Sequence, residues 1–238
     1  VESLSEIWVR VLPVDAPEVE ARSLLLAAAV ALAIVVIGPL WRLARLGVTL
    51  VHELGHALVG LACGRSFTGL VLRADASGHA VTRGPERGAG RALTTWAGYP
   101  APAIAGAAAI AAATWGWAAP VLTLALVAAA AALVRARSWL TGAVTLAVTA
   151  GLGLLWWRGD DAWQAWVLIV AGGVGIVGAW RHLGAVAGSR SPTSDPAVLA
   201  WLTRVPAAVW NVSFALACGA ATWFAGSRLW ALWPGSLL

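Results

Sequence analysis

The chain has 238 residues, 60% hydrophobic and 11% charged, with a mean hydropathy of +0.80. Ordinary soluble domains carry about a quarter charged residues, so this composition excludes a water-soluble globular protein and points to a polytopic membrane protein. The net charge is +5, but the 16 basic residues are all arginine and stand singly or in pairs between apolar runs, which excludes a basic face for nucleic acid.

In chain order, residues 1–22 form an acidic N-terminal segment. Leu4, Ile7, Trp8 and Val11 share one helical face before Pro13 and Pro17 interrupt it, which predicts a short interfacial helix and a linker. Residues 23–238 then read as one membrane domain. Its apolar runs are Leu24 to Leu40, Trp41 to Cys63, Ala92 to Trp115, Trp117 to Val134, Trp139 to Trp157, Trp163 to Trp180 and Val205 to Trp223. Helices of roughly 17–25 residues cross about 30 Å of hydrocarbon, so the fold class is all-α, a bundle of about six or seven transmembrane helices. Cys63 and Cys218 lie inside apolar runs and read as buried small hydrophobes, not as a disulfide or CxxC site. Gly172, Gly173, Gly175 and Gly178 sit within an apolar run with no strand before them and no lysine after, so they read as helix-packing positions and not as a nucleotide loop.

Arginine distribution orients the bundle. With the N-terminus cytoplasmic, the segments 1–23, 65–91, 135–138 and 181–204 face inward and collect most arginines, leaving Arg42, Arg45, Arg158 and Arg228 outside. Trp41, Trp115, Trp117, Trp156, Trp157, Trp230 and Trp233 then form an outer aromatic belt. Between the second and third runs, residues 67–81 alternate apolar and polar side chains around Asp75-Ala76-Ser77-Gly78, which predicts a small β-hairpin at the cytoplasmic membrane surface.

The chemistry sits in the second run, at His52-Glu53-Leu54-Gly55-His56. On a helix His52 and His56 are one turn apart on one face and can converge on a zinc ion, while Glu53 stands beside them to deprotonate a water. Acids and histidines at bilayer depth are functional by default, because a charge there costs at least ~2.5 kcal/mol. His56 lies eight residues before Gly64, about 12 Å along a helix, so the site is intramembrane but nearer the cytoplasmic side.

Catalytic zinc takes three protein ligands plus water. The candidates for the third are Asp75, His79, Glu86, Asp160, Asp161, His182 and Asp195. Asp160 and Asp161 fall on the outer side. Asp195 lies in the polar, proline-bounded stretch Ser191 to Pro196 at the inner mouth of the last run, where irregular backbone can line a cavity; it can equally serve as a helix N-cap, with Ser194 as a rival. His182 stands near a helix end.

The HELGH motif in a membrane helix, the basic hairpin after it and the Ala97-Gly98-Tyr99-Pro100 turn in the next run resemble the site-2 protease family of intramembrane zinc metallopeptidases. Ser194-Asp195 followed by Leu199, Thr203, Pro206 and Trp210 resembles the last-helix signature of its compact bacterial branch. The resemblance implies His52, His56 and Asp195 as zinc ligands and Glu53 as catalytic base. It departs from better-known members in the proline after Asp195 and in lacking a soluble module.

The resulting expectation is a zinc metalloendopeptidase of a bacterial inner membrane, cutting transmembrane segments of membrane-anchored proteins, with a regulatory membrane partner possible in principle. The hairpin edge, including Val71, and Asn211 in the last run are the expected substrate contacts. The alternative is a non-proteolytic membrane scaffold that retains zinc for structure. Glu53 favours catalysis, since a structural site has no use for an acid beside an open coordination position. Zinc transport would require polar residues along a pathway, which the runs lack.

Overall fold

The computed structural model describes residues 8, 10–16, 20–189 and 191–233. The expected N-terminal interfacial helix falls mostly outside them. The described residues form a helical membrane bundle with one two-stranded sheet, built from α1 (Ala21–Val36), α2 (Gly38–Ala62), β1 (Ser66–Leu72), β2 (Gly78–Arg83), α3 (Ala89–Trp96), α4 (Ala101–Thr114), α5 (Ala118–Val134), α6 (Trp139–Arg158), α7 (Asp161–Ala187), α8 (Asp195–Thr203) and α9 (Ala207–Ala231).

Helix breaks depart from the expected spans, and prolines account for two of them. α1 and α2 meet at 95° across Ile37, because Pro39 fits the first turn of a new helix but cannot extend the hydrogen-bond ladder of the old one. The corner is tied to α7, whose Arg181 donates to the Val35 carbonyl and lies 4.3 Å over the Trp41 ring. The Ala92 to Trp115 run is likewise two helices, α3 and α4, parted at Ala97–Pro100, where Pro100 offers no N–H to the preceding turn. Consequently, among the described residues, α6, α7 and α9 alone are long and apolar enough to cross a membrane unaided, or four spans if the bent α1–α2 pair counts as one, while α4 and α5 are apolar but shorter, at 14 and 17 residues. α7 runs on to Ala187, so His182 is within a helix and the expected inner loop shrinks to its last part before Asp195.

α2 stops where Gly64 adopts φ +73° and the Arg65 N–H returns to the Gly60 carbonyl at 2.9 Å, a glycine-dependent C-terminal cap. The chain then reverses into the antiparallel hairpin, with Leu70 opposite Ala80 and Val71 opposite His79. Asp75 closes its turn by accepting from the Ser77 N–H at 2.9 Å. Thr49 Oγ1 donates to the Ala76 carbonyl at 2.9 Å, so the hairpin does not lie flat at the end of α2. It runs back beside the helix from Ala62 to Thr49, about 20 Å, past the level of both histidines. The outer edge of β1 is taken: Leu70 donates to the Arg135 carbonyl and accepts from the Arg137 N–H, each at 2.9 Å. Among the described residues no strand pairs with the other edge of β2.

The densest packing joins α4, α7 and α9 through small residues, including Ala103, Ala107, Ala179, Cys218 and Ala221. A Cβ placed on Gly172 would stand 2.5 Å from the Gly106 carbonyl oxygen and one on Gly175 2.9 Å from that of Pro102. Close backbone approach is therefore what these glycines provide.

Candidate metal centre

One turn of α2 places His52 Nε2 and His56 Nε2 3.1 Å apart. Asp195, the first residue of α8, sends Oδ2 to within 3.4 Å of the first and 3.2 Å of the second. Ser194 occupies the N-cap position, but its hydroxyl donates to the Ser191 carbonyl and caps nothing, and the Asp195 carboxylate turns toward the histidines.

The protons of this cluster follow from its neighbours. His56 Nδ1 lies 2.7 Å from the Thr94 carbonyl oxygen. A carbonyl only accepts, so Nδ1 carries the hydrogen and the neutral Nε2 presents its lone pair to the cluster. Thr94 is in the last turn of α3, where carbonyls have no helical partner, and the break at Ala97–Pro100 is what leaves it free. Asp195 Oδ2 is buried with no hydrogen-bond donor. With both rings neutral and protonated on Nδ1, three electron-pair donors face one point, an arrangement that suits a cation between them. Ligands at zinc distances of about 2.0–2.2 Å in a tetrahedron are about 3.3–3.5 Å apart, close to the three separations observed. The two histidines and Asp195 therefore fit a zinc-sized dication.

Glu53, 5% exposed, is held by the hairpin: its Oε2 accepts from the Ala80 N–H on the free edge of β2 at 2.7 Å. Its other oxygen lies against Gly78, where a Cβ would sit 2.6 Å from Oε1. On the opposite side, a Cβ on Gly98 would collide with the imidazole of His56 and come within 2.7 Å of His52 Cε1. Tyr99 sets its ring edge-on to His52 at 4.8 Å and stacks on Phe214 at 5.1 Å. The whole assembly opens into a cavity of about 630 Å³ bounded by α2, β2, α3, the end of α7 and the segment before α8, with Arg45, His79, Arg91, Ser191 and Thr193 on its walls. The side chains of both histidines remain 13% exposed and that of Asp195 19%, so the ligand residues border the cavity.

Of the candidate third ligands, only Asp195 joins His52 and His56 in a group able to hold a metal, among the described residues. His182 lines the cavity but its ring centre is 6.5 Å from that of His52. His79 is on the cavity wall in β2, and Asp75 is occupied in the hairpin turn. Asp160 caps α7 by accepting from the Trp163 N–H at 2.7 Å. Asn211, on α9, and Val71, on β1, lie outside the cavity lining, Asn211 with a buried Oδ1 that has no partner. The sequence reading did not single out Thr94 or the Ala80 N–H, and it named Gly78 only within the hairpin turn and Tyr99 only within the Ala97-Gly98-Tyr99-Pro100 turn. Only the Gly-Tyr-Pro turn signalled that a helix break lay beside the histidines.

The family model for peptidase M50B-like proteins matches residues 25–225. Comparison with curated proteins returns no match, and neither does comparison with solved structures.

Proposed function

The chain belongs to the peptidase M50B-like family, and from that premise we propose that it is an intramembrane zinc endopeptidase that cuts transmembrane segments of membrane-anchored proteins. The observation that carries this reading is the convergence of His52, His56 and Asp195 on one point, with Glu53 on the wall of the same cavity.

His52, His56 and Asp195 would hold the zinc ion. When bound, it polarises the scissile carbonyl and lowers the pKa of the attacking water toward about 7. Glu53 supplies the proton transfers. The Ala80 N–H fixes one of its oxygens and leaves the other free to accept a proton from the attacking water and return it to the departing amine. Thr94 keeps the His56 proton on Nδ1 and its lone pair directed at the metal position.

A peptide bond in an intact helix is shielded by its own hydrogen bonds, so the substrate segment must unwind locally before cleavage. The Ala80 N–H on the outer edge of β2 is already held by Glu53, so an unwound segment would dock along the cavity side of β2 beside that contact, since β1 is paired on both sides. This reading moves the substrate contacts from Val71 to the cavity-facing β2 residues. The enzyme works in a bacterial inner membrane, with the centre nearer the cytoplasmic side.

The test compares wild type with Glu53→Gln on a membrane-anchored reporter whose transmembrane segment contains glycine or proline. Wild type is expected to cut it, and Glu53→Gln to retain zinc while losing about 10²–10⁴-fold in rate. Equal cleavage by the variant refutes the assignment of Glu53. Zinc-loaded wild type inert toward a panel of such reporters would point to the scaffold instead.

A further inference from the structure

The charges on the cavity wall do not balance. Among the described residues its acids are Glu53 and Asp195, and its arginines are Arg45 and Arg91. A dication held by His52, His56 and Asp195 would offset both carboxylates, which leaves the two guanidinium charges over. Neither guanidinium has an acid within ion-pair distance among the described residues. Asp75, in the hairpin turn near Arg45, accepts from the Ser77 N–H instead. Both arginines are half-buried. A substrate segment that covers them must therefore either strip their remaining water at a cost or bring opposite charge of its own.

The two arginines stand on either side of the centre. Arg45 comes seven residues before His52 on α2, about 10 Å along the helix. Arg91 follows Gly90, where an added Cβ would lie 3.3 Å from Cys63 Cβ, and Cys63 comes seven residues after His56 at the far end of α2, again about 10 Å away. β2 runs beside the helix between these levels: Thr49 Oγ1 donates to the Ala76 carbonyl at one end, and a Cβ on Gly60 would lie 3.3 Å from Thr82 Cγ2 at the other. An extended chain advances about 3.3 Å per residue. A segment lying along β2 with its scissile bond at the centre thus passes each arginine about three residues away from that bond. We propose that Arg45 and Arg91 determine specificity, selecting substrate segments that carry aspartate or glutamate about three residues to either side of the scissile bond. This inference rests on the zinc peptidase reading above. A carboxylate there gains charge-assisted hydrogen bonds to the guanidinium, an amide gains less, and a lysine meets a like charge.

The test uses the full chain in detergent and a series of reporter segments with Asp, Asn or Lys about three residues before or after the cleaved bond. Wild type is expected to favour Asp over Asn about three- to tenfold in kcat/KM, between the values of exposed and buried ion pairs, with Lys the poorest. Binding of the same segments, fluorescently labelled, to Glu53→Gln is expected to follow the same order, a readout that needs no turnover. Arg91→Glu is expected to invert the order of Asp and Lys on one flank, and Arg45→Glu on the other. Arg91→Gln and Arg45→Gln are expected to erase it, and they replace any Glu variant that does not fold. Equal rates and affinities for Asp, Asn and Lys in wild type overturn the proposal, as does a wild-type preference retained in folded variants of both arginines. Loss of preference on both flanks in each single variant overturns the placement of the two arginines. Zinc-loaded wild type that binds the Asp segments preferentially yet cuts none of the series overturns the peptidase reading, while leaving the arginines as determinants of binding.

Discussion

Gly98→Ala tests the site geometry at one methyl group. A Cβ on Gly98 would stand 2.7 Å from His52 Cε1 and closer still to His56 Cε1 and Nε2, whereas carbon atoms in contact prefer about 3.5–4.0 Å. Gly98 has no left-handed φ, so alanine costs nothing in the backbone and the whole effect comes from the contact. To relieve it, the imidazoles must withdraw by about 1 Å, or the Ala97–Pro100 turn must move away and take the Thr94 carbonyl with it. Overpacking of this kind costs about 1–3 kcal/mol, and because it falls on the ligand geometry the zinc affinity should drop about 5–150-fold, at tenfold per 1.4 kcal/mol. Cleavage at saturating zinc should still fall about 100-fold, the usual effect of misplacing a reacting group by 1 Å. Chelator competition measures the first effect and single-turnover cleavage the second. Gly142→Ala serves as control, since nothing lies within 4 Å of a Cβ there. Wild-type zinc affinity and cleavage in Gly98→Ala would refute the geometry of the centre.

Gly78→Ala addresses the base and not the ligands: its Cβ would meet Glu53 Oε1 at 2.6 Å and Thr49 Cγ2 at 2.9 Å, so the rate should fall at least tenfold while zinc affinity by chelator competition stays at the wild-type value. Gly172→Ala strikes the α4–α7 crossing, where its Cβ would stand 2.5 Å from the Gly106 carbonyl oxygen; overpacking of about 1–3 kcal/mol should lower the thermal unfolding midpoint in detergent with no change in the zinc-to-protein ratio.

How much of this was legible beforehand depends on the distance over which each feature is encoded. His52, Glu53 and His56 fall within five consecutive positions on one helix, and the 3.6-residue repeat alone brings their side chains together. The bundle, its small-residue packing and the hairpin follow from local apolarity and alternation in the same way. Asp195 is separated from them by most of the chain. Its segment showed only that it was polar and proline-bounded, so its alternative as an N-cap stayed open until the fold turned its carboxylate toward the histidines. The break at Ile37 was hidden because apolarity continues through Leu40, even though Gly38-Pro39 was present. His182 looked like a helix end because Arg181 follows an apolar run, yet Leu183 and Val186 are buried and carry α7 onward.

The parts that could not be read are mostly backbone groups, which have no letter in the sequence. The Thr94 carbonyl and the Ala80 N–H each support one essential side chain, and each is available only because a regular element ends or has an unpaired edge there. In a bilayer such groups are costly to leave unsatisfied, so a helix break or an open strand edge at that depth requires a polar partner. Here those partners are His56 and Glu53. The interruptions in regular structure therefore accompany the site by physical necessity: the same unsatisfied backbone groups that would destabilise a plain membrane helix orient one histidine and the acid. A variant that heals the α3–α4 break would consequently be expected to free the His56 ring even though no side chain of the centre had been changed.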